Sequence, residues 1–256
     1  MSTRTASSTP WPERHSLSGP STSLDPRIHA FRKDIADIRL AGRVIASHYA
    51  RPAMHRCTAA TTMVRAAPDA DARATSQLIA GEVFAVLDWD GSWAWGYCEA
   101  DGYVGHVDSA DLAIGPGAAP THRIAMPLAL AFAEPDLKSP LRMRLPMGAR
   151  IATTGIENGF AGTPHGWIHL RHLCAIDEQA GDAVAIAERL VGAPYLWGGR
   201  AGDGLDCSGL VQLALSFAGI AAPRDSDQQR DELGEPVTTA GLRRGDLVFF
   251  PGHVGM

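Results

Sequence analysis

The chain has 256 residues, 45% of them hydrophobic, and a formal net charge of −5. That length holds one large or two to three small domains, with ample apolar material for packed cores. The acidic balance and the lack of a basic patch exclude an electrostatic nucleic-acid surface, and no apolar run is long enough to cross a membrane.

Residues 1–23 are polar and rich in Ser, Thr and Pro, which predicts a flexible tail. They contain no apolar h-region, so no secretory signal is read there and a cytoplasmic location is expected. A short helix is predicted over residues 24–42. Asp25 suits its cap and Pro26 its first position, Ile28, Phe31, Ile35 and Ile38 share one face, and Gly42 ends it. From Val44 to about Ile114 the pattern is short strands and tight turns. Thr62–Arg65, Glu82–Leu87 and Trp93–Tyr97 are strand-like, and Asp90-Gly91 and Asp101-Gly102 mark turns. Trp89, Trp93 and Trp95 are read as core or interface residues.

Residues 115–120 (Gly-Pro-Gly-Ala-Ala-Pro) form a linker. A weaker copy of the same β pattern follows over His122–Leu173. Gly148-Ala149-Arg150-Ile151 echoes Gly81-Glu82-Val83-Phe84, and Gly166-Trp167-Ile168 echoes Gly105-His106-Val107. His165, His169 and His172 lie in this copy without a carboxylate at ligand spacing and are read as surface or core filling, not a metal site. Over Asp177–Gly192 the pattern returns to helix, with Val184, Ala187, Leu190 and Val191 on one face.

The four cysteines have no paired spacing, which argues against a disulfide framework or a zinc site and fits a reducing compartment. Cys57, Cys98 and Cys174 sit in strand-like runs and are read as small core residues. Cys207 differs. Asp206 is an N-cap type, and Leu210, Val211, Ala214 and Phe217 follow at helical spacing up to Gly219, so Cys207 occupies the first turn of a helix. There the free N–H groups and the helix dipole favour a thiolate and can stabilise an oxyanion. His253 follows the apolar run Leu247–Phe250 and the turn pair Pro251-Gly252. A base at that position takes the thiol proton and returns it to the leaving amine.

Four motifs in order carry a resemblance: Pro194-Tyr195-x-Trp197-Gly198-Gly199, Asp206-Cys207-Ser208-Gly209-Leu210-Val211-Gln212, Pro223-Arg224-Asp225-Ser226-x-x-Gln229, and Gly245–Phe250 with Gly252-His253-Val254-Gly255. Over residues 180–256 the chain resembles the NlpC-type cysteine peptidases of bacterial cell-wall metabolism. The run Asp101–Val107 looks like the end of a bacterial SH3-like barrel, a domain that accompanies this family. The fold class implied is α+β: a papain-like domain over 177–256 preceded by two small all-β SH3-like barrels, over 43–117 and 118–176.

The resemblance implies hydrolysis of γ-D-glutamyl-diamino acid bonds in murein-derived peptides that carry a free N-terminal L-Ala, as in peptidoglycan recycling. Cys207 would be the nucleophile and His253 the base. Tyr195 would lie near the oxyanion, Asp206 and Ser208 would help to bind the free amine, and Tyr103 would be lent to that pocket by the first barrel. Arg224 is read as a structural or substrate-carboxylate contact. The family places a third polar residue, usually His, one strand beyond the base. This chain stops at Met256, so the catalytic domain is expected to be incomplete after the base. No metal or organic cofactor is implied. Two other readings stay open: a non-catalytic murein-fragment binding protein, and a Cys/His amidase or acyltransferase on another substrate.

Overall fold

The structure is a computed structural model that describes residues 23–256; the tail expected over residues 1–23 lies almost wholly outside the described residues. Twenty-one short strands and three α-helices follow the described chain.

The N-terminal helix expected over 24–42 does not form. Asp25 closes a single turn, its carbonyl accepting from the N–H groups of Ile28 and His29. The chain then runs into a short strand, Ile35–Asp37, that pairs in parallel with His48–Ala50. The apolar spacing was real but serves two different cores. Ile28 packs against a cluster of the first β unit around Phe84 and Tyr103, whereas Ile35 packs against another around Trp95 and Tyr97. An extended segment reaches both; one helical face could not.

That first β unit is a seven-stranded antiparallel sheet. Its strand order is Ala74–Ile79, Thr61–Arg65, Val104–Asp108, Trp93–Cys98, Val83–Asp90, Ala53–Cys57, Leu112–Ile114. The predicted strands are there. Gly91 and Gly102 turn with φ of +59° and +74°, conformations that glycine adopts without Cβ strain. Cys57, Val64, Leu78, Phe84, Val86, Ala94, Cys98 and Val107 fill the interior, so Cys57 and Cys98 are core residues as read. Burial pushes the Cys57 thiol up to about 12, with Glu82 and Asp111 adding to the effect. Trp95 is buried, but Trp89 is 47% exposed and rests edge-on against His55, so it is not a core residue.

The second β unit spans His122–Ala175. Five strands are ordered Leu141–Pro146, Leu128–Phe132, Gly166–His169, Phe160–Thr163, Gly155–Glu157. Three more are ordered Arg150–Ile151, His122–Ile124, Leu173–Ala175. Its core of Ile124, Ala129, Leu145, Ile151 and Ile168 also takes Ile79 and Ala80 from the first unit and Ala201 from the third. The units thus share apolar interior. Where the first two cross, a Cβ on Gly81 would meet the carbonyl oxygen of Arg150 at 2.1 Å.

The third unit contains α1 (Ala183–Glu188), α2 (Cys207–Phe217), α3 (Ser226–Glu232) and a hairpin of Val248–Phe250 with His253–Gly255. The helix expected over 177–192 is shorter than that span. Asp182 caps α1 by accepting from the N–H groups of Val184 and Ala185. Ile186, Ala187 and Leu190 face the core, but Val191 lies beyond the helix and is 85% exposed. Helix α2 is where it was expected. Val211, Ala214 and Phe217 are buried on its inner face, and Gly219, φ +75°, follows its end.

A polar seam joins the first and third units. Buried Arg200 donates to Glu82 through Nη1 (2.8 Å) and Nη2 (3.1 Å), to the Gln77 carbonyl (2.7 Å), and through Nε to Gln212 (2.7 Å). Burial pushes the Glu82 carboxyl up, but the Arg200 charge more than offsets it and holds the group below its ordinary value.

Candidate functional site

Helix α2 begins at the residue that matters. Asp206 has extended backbone angles, and its Oδ1 accepts from the Gly209 N–H at 2.7 Å, an N-cap that sets Cys207 in the first turn. Cys207 is partly exposed at the edge of a cavity of about 650 Å³. The cavity is lined from all directions of the chain: Arg27 and Phe31 from the N-terminal segment, Trp95, Tyr103 and His106 from the first β unit, and Tyr195, Asp206, Ser208 and Asp225 from the third unit.

Tyr195 is paired to Leu205 by a β-bridge. It lines the same cavity as Cys207. Burial, and then the neighbouring thiol, push the phenol above its ordinary value, so it stays a proton donor at neutral pH. A phenol O–H and a main-chain N–H beside a thiol make a donor pair for a developing oxyanion.

Asp206 and Ser208 line the cavity, but their polar atoms are already engaged. Asp206 accepts from Gly198 N–H (2.9 Å), Gly209 N–H (2.7 Å), Ser208 Oγ (3.3 Å), and from Arg224 Nη1 (3.0 Å) and Nη2 (2.6 Å). A carboxylate offers about four acceptor positions, so five donors saturate it. Arg224, 1% exposed, also donates to Ser208 Oγ (2.9 Å) and to Ser76 Oγ of the first unit (3.0 Å). Arg224 therefore has the structural role of its two readings, and Asp206 and Ser208, expected at the substrate amine, line the cavity with their polar atoms shared with Arg224.

In the sequence Asp225 has no role of its own beyond its place in the third motif. It caps nothing. Its Oδ2 instead accepts from Tyr103 Oη (3.0 Å) and Arg27 Nη1 (2.8 Å). Oδ1 has no partner among the described residues. Burial and then Asp225 push the Tyr103 phenol far above its ordinary value. Arg27 also bonds Asp25 and Asp227, so three carboxylates surround one guanidinium and the cluster is net negative. The signal available in sequence was the polar run Arg-Asp-Ser-Asp at 224–227; its partner, Arg27, is some 200 positions away.

His253 lies on the hairpin strand that packs against α2, and Gly252 just before it lines the cavity. Its ring tilts against Phe250 with centroids 6.4 Å apart. Among the described residues no hydrogen bond joins it to Cys207, and neither ring nitrogen has a partner. No group of His, Cys, Asp and Glu among the described residues is arranged to hold a metal ion, and His169 instead caps a 3₁₀ turn through Nδ1.

Residues 192–256 match the NlpC/P60 family, and residues 64–112 match the bacterial dipeptidyl-peptidase SH3 domain. The chain carries an NlpC/P60 domain behind a bacterial SH3 domain. The NlpC/P60 domain is thus the third unit, and the SH3 domain falls within the seven-stranded sheet. A probable endopeptidase of Mycobacterium tuberculosis is 46% identical over 86 residues, 31% of this chain and 22% of that protein. A gamma-D-glutamyl-L-lysine dipeptidyl-peptidase of Bacillus subtilis is 35% identical over 106 residues, 39% of this chain and 36% of that protein. The chain therefore spans well under half the length of these relatives. An NlpC/P60 family protein from Bacillus cereus, of known crystal structure, aligns with a TM-score of 0.68 at 20% identity, over 79% of this chain and 86% of that one; the fold is shared. Among the described residues no helix is long and apolar enough to cross a membrane.

Proposed function

We propose that this chain is a cysteine endopeptidase that hydrolyses γ-D-glutamyl-diamino acid bonds in murein peptides with a free N-terminal L-Ala. The observation that carries the reading is the placement of Cys207 at the start of α2, in a cavity that Tyr195, Tyr103 and Asp225 also line. In the reaction the Cys207 thiolate attacks the γ-carbonyl and His253 holds the displaced proton. The oxyanion forms against Tyr195 and the helix N–H groups, and the amine of the diamino acid leaves with the proton from His253. Water then hydrolyses the thioester. The names of the Bacillus relatives support the bond chosen.

The substrate ammonium belongs at the carboxylate cluster. Asp206 is neutralised, whereas Asp225 keeps one open oxygen beside Tyr103, inside a cluster with an excess of negative charge. A wall there admits short peptides with a free amine and blocks longer ones, which suits turned-over fragments and hence recycling. We read residues 118–176 as a second barrel of the SH3 kind, buttressing the first through their common core.

The second reading, a fragment-binding protein without catalysis, is favoured by the unpartnered His253 ring. One experiment separates them. The protein is incubated with L-Ala-γ-D-Glu-meso-diaminopimelate under reducing conditions and release of diaminopimelate is followed by mass spectrometry, with Cys207→Ala and Tyr103→Phe alongside. Release that disappears in Cys207→Ala, with a Michaelis constant raised several-fold in Tyr103→Phe, is expected. A folded protein that binds the tripeptide without cutting it would establish the binding reading.

A further inference from the structure

The cavity at Cys207 is lined by three guanidiniums, Arg27, Arg32 and Arg73, and three carboxylates, Asp206, Asp225 and Asp227. Most of this charge is spoken for. Arg224 holds Asp206, and Arg27 holds Asp225 and Asp227. Arg32 pairs with Asp34 and Asp88 and lies over the Trp95 ring at 4.3 Å. Of the three, Arg73 alone makes no ion pair and no side-chain hydrogen bond among the described residues, and its side chain is exposed toward the cavity rim.

Its backbone is fixed. Arg73 ends the loop between strands Thr61–Arg65 and Ala74–Ile79, and its carbonyl accepts from the Ala66 N–H at 3.0 Å. The next residue, Ala74, abuts the catalytic unit: a Cβ on Gly198 would lie 3.2 Å from the Ala74 Cβ. Gly198 itself donates to Asp206, the residue before the nucleophile. A cation without a partner among the described residues therefore stands where the loop joins the strand Ala74–Ile79, one residue from where that unit touches Gly198.

We propose that Arg73 is a specificity-determining residue that binds the free α-carboxylate of the γ-linked glutamate. The proposal rests on the function proposed above. A γ-glutamyl bond differs from an ordinary peptide bond in leaving a carboxylate free on the acyl residue, a few bonds from the scissile carbonyl. That charge must enter a cavity whose other carboxylates repel it, and a planar guanidinium fork matches it. Because Arg73 is exposed, water screens the pair, and the effect is a preference of about threefold to fivefold rather than an absolute requirement.

The test compares two tripeptides, L-Ala-γ-D-Glu-meso-diaminopimelate and the same compound with the glutamate α-carboxylate converted to a carboxamide. Wild type is expected to favour the carboxylate in kcat/KM by about threefold to fivefold. Arg73→Ala is expected to lose that preference by falling on the carboxylate substrate alone, and Arg73→Lys to regain part of it. An equal fall on both substrates, or a preference that survives Arg73→Ala, overturns the assignment. Calorimetric titration of both peptides into the full chain reports on Arg73 even where neither is cut. Tighter binding of the carboxylate, lost in Arg73→Ala, would keep the site while the peptidase reading failed; equal or absent binding of the two would remove it.

Discussion

Arg224 grips Asp206 by both carboxylate oxygens, Nη1 at 3.0 Å from Oδ1 and Nη2 at 2.6 Å from Oδ2, both side chains buried behind the nucleophile. The same guanidinium reaches Ser76 in the SH3 domain. One side chain thus fixes the cap of α2, the turn carrying Gly198, and the seating of the first unit on the third.

Arg224→Ala should leave the Asp206 charge buried without its cation. Removing one partner of a buried pair costs about 3–5 kcal/mol. The melting temperature should drop by roughly 6–20 °C, and any peptidase activity should fall with it because the Cys207 turn loses its anchor. Arg224→Lys restores the charge but not the two-pronged grip and should recover only part of both. Thermal unfolding by circular dichroism checks this; an unchanged midpoint would show that the pair holds nothing together.

The Arg200–Glu82 pair should behave differently from Arg224–Asp206, because it lies across the domain seam and away from the cavity at Cys207. Glu82→Gln keeps the shape and removes the charge. A loss of about 3 kcal/mol is expected, read as a lower urea midpoint. Per folded molecule, the KM for the tripeptide should not move.

Asp25 and Asp227 are both held below the ordinary carboxylate range, first of all because Arg27 donates to their side chains. A carboxylate depressed in the folded state contributes stability that is complete above its unfolded value, about 4, and is lost as pH falls through the lower folded value. The stability gap between wild type and Arg27→Ala should therefore be widest at neutral pH and close in acid. Urea midpoints measured at about pH 7 and again well below pH 4 decide it. A gap that persists unchanged in acid would mean that Arg27 acts through packing, not charge.

Helix α2 was legible because everything that makes it is local: a cap at Asp206, apolar residues at helical spacing, and Gly219 past the end. The hairpin that carries His253 was legible for the same reason, through a short apolar run and a Pro-Gly turn. The N-terminal segment was misread because Ile28 and Ile35 do share a helical face, and sequence spacing cannot show that they serve two separate cores. The resemblance placed Asp206 at the substrate amine but gave no sign of its ion pair. Its partner Arg224 is 18 positions on and meets it only through the folded backbone.

Contacts between near neighbours set the nucleophile's turn and the β-rich character of the first half, and the order of four motifs carried the resemblance of residues 180–256. The tertiary structure decided where charge is free and where it is consumed. Arg27 meets Asp227 across 200 positions and Arg200 meets Glu82 across 118. Whether a carboxylate can receive a substrate, or is already neutralised, depends on such distant partners, because ionic attraction follows distance in space and not along the chain.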